Sequence, residues 1–389
     1  MSKYVIDSST LTAIGDAVRG KDGSTDPILV SEIASRITDI PAGSGGYDIP
    51  DDAFVFVGDT SMGDGAKYLF AHNAWNWFIE NYGDRITTSN LGNSEKLFYC
   101  SDELEEIPFI IKGISGQTND MFANCTALKS IAGFEACSFT SIMDKMFYMC
   151  NNLRYLPTFD STCYWRQLNL NSNSAKELFS YCYSLRSIPE ETLKNFHNNA
   201  TSSSGHLYRM FRYCYSLDEI RGLRIRHPER LTASITSNLF TDTFLNCMRV
   251  KDIIFDTDNG TPYVLTNVKN QNINLYTVGY YQSVAAYKNN ILNYNSGITA
   301  DKEVTDAATY EALKNDPDWF TGLLEYSRYN HDSAVNTINS LPDVATAGGT
   351  NTVYFIGSMG ASTDGGAINT LTDAEVAVAA AKGWTIAWT

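Results

Sequence analysis

The sequence predicts an α/β chain built as a solenoid, with short coils stacked in one dimension, a small helical segment before them and a cap after them. Three observations predict it: one eleven-residue unit recurs along the middle of the chain, its copies keep the same apolar offsets, and six of the eight cysteines sit at or beside one position of the unit. A unit recurring in this way marks an array in which each copy buries its apolar edge only against its neighbours.

The clearest copy is Met121-Phe122-Ala123-Asn124-Cys125-Thr126-Ala127-Leu128-Lys129-Ser130-Ile131. Met146, Phe147, Cys150, Leu153 and Leu156 repeat its offsets, as do Leu178, Phe179, Cys182, Leu185 and Ile188, and then Met210, Phe211, Cys214, Leu217 and Ile220. Degenerate copies flank these. On one side stand Leu97, Phe98, Leu104 and Ile107, with Ser101 in the cysteine position and Cys100 just before it; on the other stand Phe244, Cys247, Val250 and Ile253. The candidate repeat core is therefore Phe98, Phe122, Cys125, Leu128, Phe147, Cys150, Leu153, Phe179, Cys182, Leu185, Phe211, Cys214, Leu217, Phe244 and Cys247. The Phe, Cys and Leu offsets fit one face of a short helix, and the following Leu-x-x-Ile fits a short strand that closes each coil. Phe and Cys are expected to stack as internal ladders, the thiol packing as a small hydrophobe.

The M-F-x-x-C-x-x-L-x-x-I pattern resembles the BspA-like class of leucine-rich repeats, found in bacterial surface proteins and in tail proteins encoded by phages and prophages. It covers about residues 97–255. The resemblance implies a right-handed curved solenoid with helical or 3₁₀ segments on one side and a narrow sheet on the other.

Before the repeats, residues 1–40 read as two short helices. Thr10 can cap the first, with Leu11, Ile14, Ala17 and Val18 on one face, and Ser31 can cap the second, with Ile33, Ile37 and Ile40. Helices this short cannot bury their own stripes, so Leu11, Ile14, Val18, Ile33 and Ile37 are candidate docking residues. The run Leu11 to Gly23 followed by Ile33-Ala34-Ser35-Arg36-Ile37 resembles an opening segment of tail and baseplate proteins of phages infecting Gram-positive bacteria, with Gly15 and Val18 in place of the usual Ala and Ile. That likeness implies a virion-docking segment. Residues 41–46, Pro-Ala-Gly-Ser-Gly-Gly, form a linker. Residues 47–96 are expected to cap the first repeat, with a strand at Ala53–Val57 and a helix from Tyr68 to Tyr82; Trp75 and Trp77 suit that cap better than a sugar-stacking platform.

Within the array the Phe-to-Phe intervals are 24, 25, 32, 32 and 33 residues, and the longer ones carry polar insertions at 169–174 and 197–205. Such insertions either form a binding face or are tolerated drift, which costs little because loop closure grows only logarithmically with length. Residues 256–389 read as irregular repeats and a C-terminal cap. Asp256-Thr257-Asp258-Asn259-Gly260 lacks the terminal Glu of an EF-hand and reads as a turn, and Thr305 to Phe320 reads as a helix. Val353–Ile356 reads as a strand, Thr372 with Glu375 as the capping box of a helix through Ala381, and Trp384–Trp388 as a last strand. With Ser333–Leu341 these resemble the terminal module of phage proteins carrying such repeats.

Composition narrows the function classes. A net charge of −15 argues against nucleic acid and against an anionic membrane surface as partners. No stretch approaches the roughly 18 to 20 apolar residues of a membrane span, and the start, Met1-Ser2-Lys3-Tyr4-Val5-Ile6-Asp7, has no apolar leader core. The cysteines have no C-x-x-C spacing, so neither zinc nor any cofactor is expected, and reduced thiols are. His72, His197, His206, His227 and His331 have no ligand spacing, and the acidic run Asp102, Glu103, Glu105, Glu106 reads as a solvated face. No residue earns a catalytic assignment, so no enzyme is expected; a carbohydrate-active enzyme with two acids far apart in sequence is the reading kept against that.

The resemblance implies a structural virion protein of a phage tail tip or baseplate, made in the host cytoplasm. It would dock to other virion proteins through residues 1–40 and recognise a host-surface glycan or protein through the solenoid. The symmetry of tail fibres as a class implies a homo-oligomer, a trimer. A bacterial surface adhesin and a phage head fibre or decoration protein are the alternatives.

Overall fold

The computed structural model describes residues 54–58, 65–139, 142–165, 175–195, 198–199, 207–226, 238–247, 250–266, 268–276, 278, 329–355 and 371–388. The candidate docking residues of segment 1–40 and the helix expected at Thr305 to Phe320 lie outside these.

The described residues form a mixed α/β structure of small sheets and few helices. In chain order they are β1 (Phe54–Val57), α1 (Asn76–Tyr82), β2 (Ile86–Ser89), β3 (Glu106–Lys112), β4 (Ser130–Glu135), β5 (Ser138–Phe139), β6 (Thr158–Phe159), β7 (Tyr164–Trp165), α2 (Glu190–Asn195), β8 (Asn198–Asn199) and β9 (Glu219–Leu223). There follow β10 (Ile225–Arg226), β11 (Asp252–Phe255), β12 (Thr257–Asp258), β13 (Thr261–Pro262), β14 (Asn272–Asn274), α3 (His331–Ser340), β15 (Asn351–Phe355), α4 (Asp373–Ala381) and β16 (Trp384–Trp388). Strand pairing is parallel except in the β12–β13 hairpin. Equivalent repeat positions stand opposite one another, Ile107 against Ile131 and Ile220 against Ile253. At these copies the strand half of the expected unit is present, one copy beside the next in the same direction; at the copies ending in Leu156 and Ile188 it is reduced to a parallel bridge between Tyr155 and Ser187.

The helical half is different. Residues around each repeat Phe form a run of turns, not the short helix expected from the offsets. Two non-glycine residues per run hold positive φ. Two before the Phe these are Tyr68, Lys96, Asp120, Lys145, Glu177, Arg209 and Asp242, and two after it His72, Cys100, Asn124, Met149, Tyr181, Tyr213 and Asn246. A helix would consume its N–H groups internally. Here they alternate: the Leu97, Tyr99 and Ser101 N–H groups bond three residues back, whereas those of Lys96, Phe98 and Cys100 donate across to Asn119, Met121 and Ala123 of the next coil. The same alternation recurs at Phe122 to Met146, Phe147 to Leu178, Phe179 to Met210 and Phe211 to Thr243. Left-handed backbone costs a non-glycine residue about 1–2 kcal/mol. The bonds it directs between coils offset that cost.

These turns place the Phe side chains in one continuous stack. It runs Phe70, Phe98, Phe122, Phe147, Phe179, Phe211, Phe244, with ring centroids 4.9 to 6.2 Å apart and neighbouring planes within 17° of parallel. Phe70 is a rung the sequence pattern omits, because Asn73 stands at its cysteine position. Beside the rings runs a sulfur ladder. The thiols of Cys125, Cys150, Cys182, Cys214 and Cys247 donate to the carbonyls of Phe98, Phe122, Phe147, Phe179 and Phe211 at 2.9 to 3.2 Å. Ser101 donates to the Phe70 carbonyl at 2.8 Å in the same way. The cysteine position therefore carries a buried donor as well as a small hydrophobe, and serine satisfies it where thiol is absent.

At the amino end the expected Tyr68–Tyr82 helix shrinks to α1, because residues 66–72 join the turn ladder: the N–H groups of Ala66, Phe70 and His72 donate to Asn93, Leu97 and Tyr99. Trp75 meets Phe56, Phe70 and Phe78 edge-on at 5.2 to 6.3 Å, so it belongs to the packing over the first rung.

At the carboxyl end β14, β15 and β16 form a parallel sheet. Asn330 caps α3, and Thr372 with Glu375 closes the capping box of α4. Gly383 takes φ +81° where a Cβ would meet the Ala345 backbone at 2.8 Å. Trp384 is buried with its indole N–H on the Pro342 carbonyl at 2.7 Å. The Asp256–Gly260 segment forms the β12–β13 turn, and Arg224 holds Asp256 at 3.1 Å and Asp258 at 2.7 Å.

Candidate functional site

The turn runs that build the Phe stack also fix a surface. Side chains that follow the repeat Phe residues meet one another between successive coils, and from Phe147 to Phe211 these include Tyr148, Tyr181, Tyr183, Arg212, Tyr213 and Tyr215. Tyr181 stacks on Tyr213 at 4.9 Å and Tyr183 on Tyr215 at 5.1 Å. Edge contacts of 6.1 Å (Tyr181 with Tyr183) and 5.8 Å (Tyr213 with Tyr215) complete a block of four rings, and Tyr148 meets Tyr181 edge-on at 5.5 Å. Tyr183 and Tyr215 are buried; Tyr148, Tyr181 and Tyr213 are half-buried, with edges open to solvent.

Cations cover these rings. The Arg212 guanidinium lies 4.9 Å from the Tyr213 centroid and 5.6 Å from that of Tyr181, and its Nε is buried without a hydrogen-bond partner. Lys145 lies 5.3 Å above Tyr148, and Arg209 lies 4.5 Å above Tyr208 while pairing with Asp242 at 3.2 Å. Such contacts gain strength as water is excluded. Burial raises the Tyr148 and Tyr183 phenols above their ordinary values, so both remain neutral hydrogen-bonding groups.

A second cluster occupies the same face nearer the amino end. Lys96 lies 5.4 Å over Tyr68 and 5.6 Å over Tyr99, and His72 lies 5.6 Å from Tyr99. Between the clusters the Phe122 coil has no aromatic residue at these positions: Ala123 is buried, and Asn124 and Thr126 are half-buried. The arrangement offers open ring edges, hydroxyls and fixed cations at successive coils, which suits an extended polar polymer or a protein surface.

All fifteen candidate repeat-core residues are buried. The tyrosine block was missed in the sequence, though its signal is there: Tyr-Cys-Tyr-Ser-Leu occurs at 181–185 and again, unchanged, at 213–217. The acidic run partly lines an open cleft of about 410 Å³, where Glu80 and Asp84 join Glu105 and Glu106. Glu105 pairs with Lys129 at 2.8 Å on an exposed surface. Among the described residues no cluster of three or more His, Cys, Asp or Glu could hold a metal ion, and no helix is long and apolar enough to cross a membrane. Comparison with protein-family models, curated proteins and solved structures gave no match.

Proposed function

We propose that this chain is a BspA-like leucine-rich solenoid serving as a structural protein of a phage tail tip or baseplate, and that it binds a host-surface glycan or protein through the tyrosine–arginine face. The observation that carries the recognition role is the regular spacing of Tyr148, Tyr181, Tyr213 and Arg212 on consecutive coils, which presents one contact chemistry at fixed intervals along an axis. The parallel coil-on-coil pairing and the Phe stack support the solenoid. The likeness of Leu11–Gly23 and Ile33–Ile37 to virion-docking segments supports attachment through residues 1–40, away from the repeats. Weak contacts per copy multiply when several copies share one particle, here as a trimer. The role is binding without catalysis.

The test is adsorption of the full-length protein to cells of the source strain, with immunogold localisation on induced particles. Arg212→Ala with Tyr213→Ser is expected to lower cell binding at least tenfold while the circular dichroism spectrum is unchanged, and gold is expected at the tail tip. Undiminished binding by that variant removes the face from the proposal, and gold confined to cell walls or heads removes the tail assignment.

A further inference from the structure

Three cysteines, Cys100, Cys137 and Cys163, fall outside the buried ladder, and the last two form a pair. Cys137 and Cys163 lie at the start of a separate strand pair. Strands β5 and β7 run parallel, with Ser138 opposite Tyr164 and Phe139 opposite Trp165. One residue back in the same register, Cys137 faces Cys163. Parallel neighbours lie about 4.8 Å apart and direct opposed side chains to one face, and a disulfide spans Cα separations of roughly 4.4–6.8 Å. The surrounding backbone holds this register, since the Ala136 N–H donates to Thr162 Oγ1 at 2.8 Å and the Cys163 N–H to the Asp160 carbonyl at 2.9 Å.

The two sulfurs are unequal. Cys137 is buried, with its sulfur 3.3 Å from the Ile111 carbonyl; Cys163 is half-buried, with its sulfur 3.3 Å from the Phe134 carbonyl. We propose that Cys163 is a thiol modification site, the first of the two thiols to attack a small disulfide, and that Cys137 resolves the adduct into a Cys137–Cys163 disulfide clamping two successive coils together. Accessibility and register both support this order. So does acidity: the hydrogen bond from the Cys137 thiol holds Cys163 at about 7, while that same bond and burial raise Cys137. By contrast burial raises Cys125, Cys150, Cys182, Cys214 and Cys247, and all five are sealed in the core. A nucleophilic thiolate needs both a lowered pKa and access.

With oxidised glutathione as oxidant the step balances. The Cys163 thiolate attacks one glutathione sulfur, the S–S bond breaks, and one glutathione thiolate leaves. Cys137 then gives its proton to solvent and attacks the Cys163 sulfur, expelling the second glutathione. Two protein thiols lose two electrons, and one glutathione disulfide becomes two thiols. The bond closes a loop of 26 residues (163 − 137), which limits the unfolded chain.

The test is non-reducing peptide mapping of the full chain after incubation with oxidised glutathione at neutral pH. The expected product is a linked 137–163 peptide pair, with the melting temperature raised by about 5 °C. Cys163→Ser is expected to abolish both adduct and cross-link. Cys137→Ser is expected to stop at a glutathione adduct on Cys163, which shows the attack step without requiring the clamp. The folded wild type halting at that adduct, or Cys100 reacting ahead of Cys163, overturns the proposal. Alkylation of Cys163 against pH is expected to show a midpoint at about 7; a midpoint near the ordinary thiol value of 9 also overturns it.

Discussion

The repeats and the C-terminal module both build parallel strands in register, but they are held in different ways. In the repeats one set of contacts recurs on every coil: a ring on a ring, a thiol on the preceding Phe carbonyl, and alternate N–H groups on the next turn. In the C-terminal module each contact occurs once. Trp384 reaches the Pro342 carbonyl, Lys382 Nζ caps the end of α3 on the Ile338 carbonyl at 2.8 Å, and His331 links α3 to Glu375 of α4. Where array and module meet, side-chain amides replace backbone: Asn238 bonds Asn272 in both directions, and Gln271 accepts from the Leu239 N–H. Recurrence spreads stability over many similar interfaces, whereas single contacts concentrate it.

The largest effect should come from breaking the recurrence at its middle. Phe147 stacks on Phe122 at 5.3 Å and Phe179 at 5.7 Å and is fully buried, so Phe147→Ala should cost about 3–5 kcal/mol in denaturant unfolding. A loss below about 1 kcal/mol would mean that the stack follows the fold without holding it.

A smaller change sharpens the same comparison at the sulfur ladder. Cys182 donates to the Phe147 carbonyl at 2.9 Å, as Ser101 does to Phe70. Cys182→Ala removes volume and donor together and should cost about 1–3 kcal/mol. Cys182→Ser retains the donor and should be the more stable of the two. The reverse order would leave the thiol as a packing group only.

The smallest effect belongs to the C-terminal module. Hydrogen bonding to Glu375 raises His331 above its ordinary value of 6.5, and hydrogen bonds from Thr372 and then His331 lower Glu375 below its ordinary 4.5. The sign follows for each group. The raised imidazole stabilises fully below pH 6.5 and loses its contribution as pH rises through the folded value. The lowered carboxylate stabilises above pH 4.5 and loses its contribution as pH falls through its own. The link is therefore strongest between those limits, and His331→Gln should flatten the melting temperature over pH 5–8 by only about 1–2 °C, because the half-buried pair is still screened by solvent. An equal pH response in that variant would place the titration elsewhere.

The strand half was legible in the outer units because parallel strands between repeats need only apolar residues at matching offsets, and Ile107, Ile131, Ile220 and Ile253 supply them; at Leu156 and Ile188 the same offsets give no strand. The capping box of α4 was legible for a local reason, since Thr372 and Glu375 act within three residues of each other. The turn half was misread. Offsets of one, four and seven suit a helix, and no residue announces left-handed backbone when the positions are Lys145, Met149, Arg209 and Tyr213. Phe70 was hidden because Asn73 replaces the cysteine that marks the other rungs.

By itself the sequence determined that the chain repeats, which side chains are core and where most coils begin, because burial needs only the right residue at the right interval. Only tertiary structure decided the rest. The left-handed turns exist because their N–H groups bond the neighbouring coil, and Tyr181 meets Tyr213, or Cys137 meets Cys163, only because coil spacing places one beside the other. Those contacts are properties of the interface between units, and no single unit contains them.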